Sequence, residues 1–279
     1  MLAKIVLALA TMLQPADDSG SVALSLDRIT SFTNVVVNHV NESIGTESLP
    51  VGAGSTVEPG VFVTIGMDRL QVFDHDAAVL QGGLVTDGAV APECESGCPA
   101  ALYDAFQYEW LKMAVEASYL DIDIATRVLF AAHADVPAQT LLMTAYAAAE
   151  TRPGAVPTLS VLVNMAGRGL RAQPIFLLPP KGLELQQGSA ALGLTIEFDR
   201  ESFVVRGADS TLGRTGRRGN SLADVQKILA GVRKRNPGKD TVILVPRAGV
   251  TVGDLMLLVQ TLRANYPRIV LSLGQDVII

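Results

Sequence analysis

Apolar positions along this chain change their spacing several times, and the same order of changes occurs twice. Phe62 to Phe73 and Leu192 to Val205 are rich in β-branched and aromatic residues, each interrupted by an Asp-Arg turn, Asp68-Arg69 or Asp199-Arg200. Such runs predict a pair of strands in each place. A helical spacing follows. Leu222, Val225, Leu229 and Val232 predict a helix over about Leu222 to Lys234, with Ser221 as its N-cap and Asn236-Pro237-Gly238 as its stop. Leu102, Phe106, Trp110 and Met113 mark the equivalent apolar face upstream. Val128 to Ala132 and Val242 to Val245 are near-continuous apolar runs, and their lack of alternation predicts strands buried on both faces. A second helix succeeds each, with Leu255, Leu258, Val259 and Leu262 as one stripe and the Ala-rich Gln139 to Glu150 as its counterpart. Leu159 to Val163 and Ile269 to Leu273 close the two series as strands. A short helix between two apolar strands requires a crossover connection within one sheet.

The two series correspond residue by residue. Val128-Leu129-Phe130-Ala131-Ala132-His133-Ala134-Asp135-Val136-Pro137 aligns with Val242-Ile243-Leu244-Val245-Pro246-Arg247-Ala248-Gly249-Val250-Thr251 at a constant offset of 114. The match continues through Leu141-Leu142 onto Leu255-Met256. For Leu159 to Val163 against Ile269 to Leu273 the offset drops to 110, because Thr151-Arg152-Pro153-Gly154 lengthens a turn that the second copy makes through Asn265-Tyr266-Pro267. Turns are where a duplicated fold accepts insertions. At 279 residues the chain also exceeds the usual single domain. The fold class expected is α/β (α+β): two tandem ββαβαβ domains at residues 51–166 and 180–279, each a small mixed sheet packed by helices, after an N-terminal segment, 1–50.

Composition bounds what such a chain does. With 49% apolar and 18% charged residues it describes a packed globular protein, and with 5% aromatics its cores are filled by Val, Leu, Ile and Ala. A net charge of −6 and a pI near 5.1 exclude a nucleic-acid binder, whose phosphate affinity needs concentrated positive charge. The local exception is Arg214-Thr215-Gly216-Arg217-Arg218-Gly219, read as a solvated, Gly-bounded loop that offers a contact to an anion or acidic partner. The second copy also holds Arg233, Lys234, Arg235 and Lys239, against Arg69, Lys112, Arg127 and Arg152 in the first, so it is expected to present the more basic surface. Reversing Arg217 and Arg218 to Glu should leave the fold intact and weaken partner binding in a salt-sensitive way.

Cys94 and Cys98 are the two cysteines, in Pro92-Glu93-Cys94-Glu95-Ser96-Gly97-Cys98-Pro99. A metal site would need two more soft ligands, and no Cys or His pair stands at a suitable spacing. The tight loop suits a disulfide, which points to an oxidising compartment, with a reduced pair as the other reading. Near the start, Ile5 to Leu13 is uncharged but shorter than the roughly 20 residues of a membrane span. It reads either as a minimal secretory h-region or as a buried first element.

Three clusters invite a chemical reading. Asp74-His75-Asp76 combines metal-ligand types, but adjacent strand residues face opposite ways, so only Asp74 and Asp76 share a side, and an exposed hairpin end is expected. Asp121 and Asp123 share a side in the same manner without a third ligand. His133 and Asp135 have the spacing of a base and its orienter, yet no nucleophile accompanies them and Gly-x-Ser-x-Gly does not occur. A hydrolase or metal-dependent enzyme using His133 and Asp135, or Asp74, His75 and Asp76, is therefore the rival to a non-enzymatic module, and neither metal nor cofactor is expected.

The stretch Asp240 to Leu273, a strand, a short polar turn ending in Val, a helix and a final strand, resembles the periplasmic domain of the ExbD/TolR family of biopolymer-transport proteins. Ala132-His133-Ala134-Asp135-Val136-Pro137 with Leu159 to Val163 resembles it too, so the likeness covers roughly Val57 to Gly274. That resemblance implies a dimerising module in the periplasm, associated with the inner membrane, that works with an ExbB/TolQ-like multi-helix membrane partner. The family's spanning helix with its essential Asp has no counterpart here. The Asp that usually opens the strand-to-helix turn is replaced by His133 and Arg247. What the resemblance then implies is scaffolding or partner binding, of an acidic protein or cell-wall polymer, more than direct proton coupling. Arg214, Arg217, Arg218, Arg247 and His133 are the residues expected to bind partners. The two copies are expected to form an internal mimic of the family's dimer, or to serve a homo-oligomer.

Overall fold

The computed structural model describes residues 26–274 apart from 87, 95–96, 121–126, 152–156, 166–168, 179–193, 208, 210, 214 and 239; of residues 26–31 and 116–120 it describes the backbone only. The chain begins with α1 (Leu26–Ser43) and a single turn of 3-10 helix, Thr46–Ser48. Then come β1 (Val61–Ile65), β2 (Arg69–Val72), β3 (His75–Gln81), β4 (Leu84–Val85), α2 (Ala100–Leu120), β5 (Arg127–Ala132), α3 (Ala138–Glu150), β6 (Thr158–Asn164) and β7 (Leu170–Leu177). The remainder is β8 (Thr195–Phe198), β9 (Phe203–Arg206), β10 (Arg217–Gly219), α4 (Leu222–Arg235), β11 (Thr241–Pro246), α5 (Val252–Arg263) and β12 (Arg268–Leu271).

All twelve strands join one mixed sheet in the order β10-β9-β8-β11-β12-β7-β6-β5-β1-β2-β3-β4. Apart from β4, this order reads the same way from both ends toward β7. In the first half β1, β5 and β6 are parallel neighbours, and β2 and β3 add antiparallel strands outside β1. In the second half β8, β11 and β12 are parallel neighbours, with β9 and β10 antiparallel outside β8. β7 runs antiparallel to β6 and parallel to β12, so the halves point in opposite directions along the sheet.

Both faces of the central strands are buried, as their unbroken apolar runs require. Val128, Phe130 and Ala132 of β5 turn toward α2 and α3, while Leu129 and Ala131 turn to the opposite face. On the helical face one core runs through both halves, from Leu102, Phe106 and Trp110 of α2 to Val225, Leu229 and Val232 of α4 and Leu255 and Leu258 of α5. On the other face Phe32, Val36 and Val40, four residues apart along α1, pack on Phe62, Leu129, Ala131 and Leu162. Ser221 caps α4 by accepting the Asp224 N–H, and Asn236 follows its last turn.

Each half departs from ββαβαβ by further strands before its first helix, β3 and β4 in the first half and β10 in the second. β3 pairs with β2 across a register shift at Leu70 and Gln71, and only Ala77 and Leu80 of it are fully buried. Its polar start concealed it. β10 contains Arg217 and Arg218, so these residues lie in an edge strand and the expectation of a Gly-bounded loop is corrected. Short, charged edge strands resist edge-to-edge pairing. The expected pair of separate small sheets is also corrected, because β7 joins them. Pro174 argues against a central strand, but β12 pairs with β7 only at Phe176 and Leu177, beyond the residue that lacks an N–H.

Cys94 and Cys98 are joined by a disulfide, buried against the core just ahead of α2. The loop it closes is short, so the chain-entropy contribution is modest, about 2 kcal/mol. Urea denaturation with and without a thiol reductant should differ by about that amount, and loss of all folded signal on reduction would contradict it.

Candidate functional site

β5 and β11 each end in the same tight turn before a helix. The Val136 N–H donates to the His133 carbonyl at 3.0 Å, and the Val250 N–H donates to the Arg247 carbonyl at 3.2 Å. Gly249 takes a left-handed φ of 89° in its turn. The two turns then meet. Pro137 forms an antiparallel bridge with Thr251, the residue at its own position in the other copy. The Ala138 N–H donates to the Val250 carbonyl and the Val252 N–H to the Val136 carbonyl, both at 2.8 Å. Equivalent residues can exchange equivalent bonds only across a local two-fold axis, which is the signature of an isologous interface.

A second pair of equivalent residues extends this interface. Tyr146 on α3 donates its hydroxyl to the Leu178 carbonyl beside β12, and burial pushes its pKa up to about 12. Gln260, at the same position on α5, donates its amide at 2.8 Å to the Val51 carbonyl, and Val51 bridges to Asn164 at the end of β6. Each side chain thus reaches the far end of the other half. Thr251 and Asp254 form a capping box on α5, whereas α3 starts at Pro137 with no side-chain cap and uses the opposite half's Val250 carbonyl instead.

His133 and Arg247 occupy equivalent positions but different chemistry. The Asp135 N–H donates to His133 Nδ1 at 3.1 Å, so that nitrogen is an acceptor and the ring proton sits on Nε2. The Asp135 carboxylate lies 3.9 Å from Nδ1 and points largely into solvent. Arg247 donates at 2.6 Å to Glu197 on β8, which also accepts from Arg206 on β9.

Cross-strand partners share a face of a sheet, and this sorts the arginines. Arg218 stands opposite Val204, on the same face as Arg206 and Glu197, while Arg217 stands opposite Val205 on the helical face. Arg218, Arg206 and Arg247 therefore lie on the outer face of the second half, with Glu197 between Arg206 and Arg247 and the Asp199 carboxylate also near Arg247. The structure brings Arg218 and Arg247 to one face, sends Arg217 to the other and leaves His133 in the other half. Arg214 and Lys239 lie outside the described residues, as do Arg152, Asp121, Asp123 and residues 5–13. Arg206 and Glu197 were not anticipated, and only pairing register reveals their place.

Asp74, His75 and Asp76 disperse onto separate partners. Asp74 Oδ1 is 4.0 Å from His39 Nδ1, His75 Nε2 is 3.5 Å from the buried Glu109 carboxylate, and Asp76 accepts from Gln71 at 2.8 Å. Among the described residues no group of three His, Cys, Asp or Glu side chains is placed to hold a metal ion. Nor is any described helix long and apolar enough to cross a membrane. No family model matches the chain, no curated protein matches it, and no solved structure matches it.

Proposed function

We propose that this chain is a non-catalytic, tandem ExbD/TolR-like module that binds partners on the periplasmic side of the inner membrane, with an internal pseudo-dimer in place of a dimer of single copies. The observation that carries this reading is the reciprocal contact of Pro137 and Thr251, with the matched hydrogen bonds around it. A chain that meets its own copy internally needs no second molecule to complete that interface. The Cys94–Cys98 bond fits an oxidising compartment. The outer-face arginines of the second half supply the attraction for an acidic protein or cell-wall polymer, and an ExbB/TolQ-like membrane protein is the partner this reading calls for.

The test is cross-linking in cells followed by identification of the linked proteins. An ExbB/TolQ-like multi-helix membrane protein should be recovered with the wild type. The double variant Arg218→Glu and Arg247→Glu should lose roughly tenfold of this at low ionic strength and less at high salt, while Arg217→Glu retains it. A folded double variant that binds as well as the wild type at low salt would overturn the assigned face. Recovery only of soluble cytoplasmic proteins would overturn the proposed place of action.

A further inference from the structure

α1 is held to the first half by side chains alone. Among the described residues no backbone hydrogen bond joins it to the sheet. Phe32, Val36 and Val40 anchor it, and between them His39 enters the same seam with 12% of its side chain exposed. Its ring meets Phe62 edge-on, with centroids 5.1 Å apart. Its Nε2 is buried with no hydrogen-bond partner, in a pocket lined by Phe32, Val35, Val36, Phe62 and Phe73. A neutral imidazole tolerates that pocket; an imidazolium needs its second N–H solvated or paired, and the lining offers only carbon.

Two carboxylates stand near enough to oppose this. Asp74, from the turn between β2 and β3, is 4.0 Å from Nδ1, and Glu42 lies one turn further along α1. Asp74 approaches Nδ1, the nitrogen other than the unpaired one. Phe62 brings no charge from β1. Lys112 of α2 stands 5.8 Å from the centre of the Phe73 ring and pairs with Glu109. Burial outweighs the carboxylates, and the His39 pKa lies below its ordinary value of 6.5.

We propose that His39 makes the seam between α1 and the sheet an acid-sensitive latch, whose protonation releases the helix and bares the apolar face formed by Phe62, Leu129, Ala131 and Leu162. The sign follows from linkage. The released helix binds the proton more tightly than the docked one, so docking is at full strength above pH 6.5 and weakens as pH falls toward the docked pKa. Among the described residues no backbone hydrogen bond of the sheet involves α1, so strand pairing does not depend on the docked helix.

Hydrogen–deuterium exchange on the whole protein tests the latch. Relative to the amides of β5 and β11, and after correction for intrinsic rates, the α1 amides should lose at least roughly fivefold protection between about pH 7.5 and about pH 5. His39→Leu, which keeps an apolar side chain there, should lose none. Asp74→Asn removes a counter-charge from the docked imidazolium and should enlarge the loss. Equal α1 protection at both pH values in the wild type, or an equal loss in His39→Leu, overturns the proposal. If His39→Leu does not fold, the titration of the wild-type His39 ring by NMR decides: a midpoint below 6.5 upholds the latch and one at or above 6.5 overturns it.

Discussion

Replacing Tyr146 by Ala is expected to destabilise the folded chain by about 3–5 kcal/mol, the cost of deleting a buried aromatic side chain. The ring is 3% exposed, and its hydroxyl serves carbonyls at the end of the opposite half, Leu178 and Leu271. Tyr146→Phe keeps the ring and removes only the donor, which should cost about 1–1.5 kcal/mol. Both variants should weaken both halves together. The lone tryptophan, Trp110, reports on the first half, and amide exchange in β11 reports on the second. Urea midpoints from the two probes should fall by the same amount. A variant that loosens only the half containing α3 would show that the halves fold independently.

Asp209 is the next most consequential side chain. It is buried ahead of β10 and accepts from the Thr211 N–H and hydroxyl, from Arg235 and from Asn236, which ties the segment between β9 and β10 to the end of α4. Asp209→Ala strands those donors and should cost roughly 3 kcal/mol. The Thr211 hydroxyl above all, then Arg235, the Thr211 N–H and Asn236, hold its carboxyl well below the ordinary 3.8. Its stabilisation is therefore complete above pH 3.8 and is lost only as pH falls through the lower folded value. Followed by circular dichroism, the wild type should show a larger acid-dependent loss of stability below about pH 4 than Asp209→Asn, in which only the other depressed carboxylates, Asp199 and Asp224, still contribute. An identical pH profile for the two proteins would contradict the role given to this carboxylate.

Much of the molecule is legible from apolar spacing. β5 and β11 are apolar runs because both of their faces are buried beyond their first residues, and nothing in their neighbourhood competes with that signal. α4 and α5 are equally plain from their stripes, and the cap expected at Ser221 is the one that α4 uses. Strands toward the ends of the sheet were hidden for a physical reason. β3 buries only two residues fully, and β10 is three residues long with two arginines, so neither carries a period that sequence alone reveals. β7 was hidden by Pro174, a residue that excludes most central strands. The candidate site divides in the same way. Arg247 and His133 follow from the repeat, but the company they keep depends on register and side-chain length. Glu197 and Arg206 join Arg247 from strands whose facing was not legible, and His39 enters the apolar seam from a helix with mixed polarity. The partners of Asp74, His75 and Asp76 are likewise set by α1, α2 and β2 together.

The most direct measurement of the internal pseudo-dimer is a cross-link on its axis. Pro137 and Thr251 form a non-hydrogen-bonded antiparallel pair, whose Cα atoms lie about 4.5 Å apart, within reach of a disulfide. The double variant Pro137→Cys and Thr251→Cys, oxidised as the folded monomer, should yield a peptide pair joined through residues 137 and 251 by mass spectrometry, alongside the Cys94–Cys98 bond. A folded monomer in which both new thiols stay free, or in which they link only between molecules, would contradict the account.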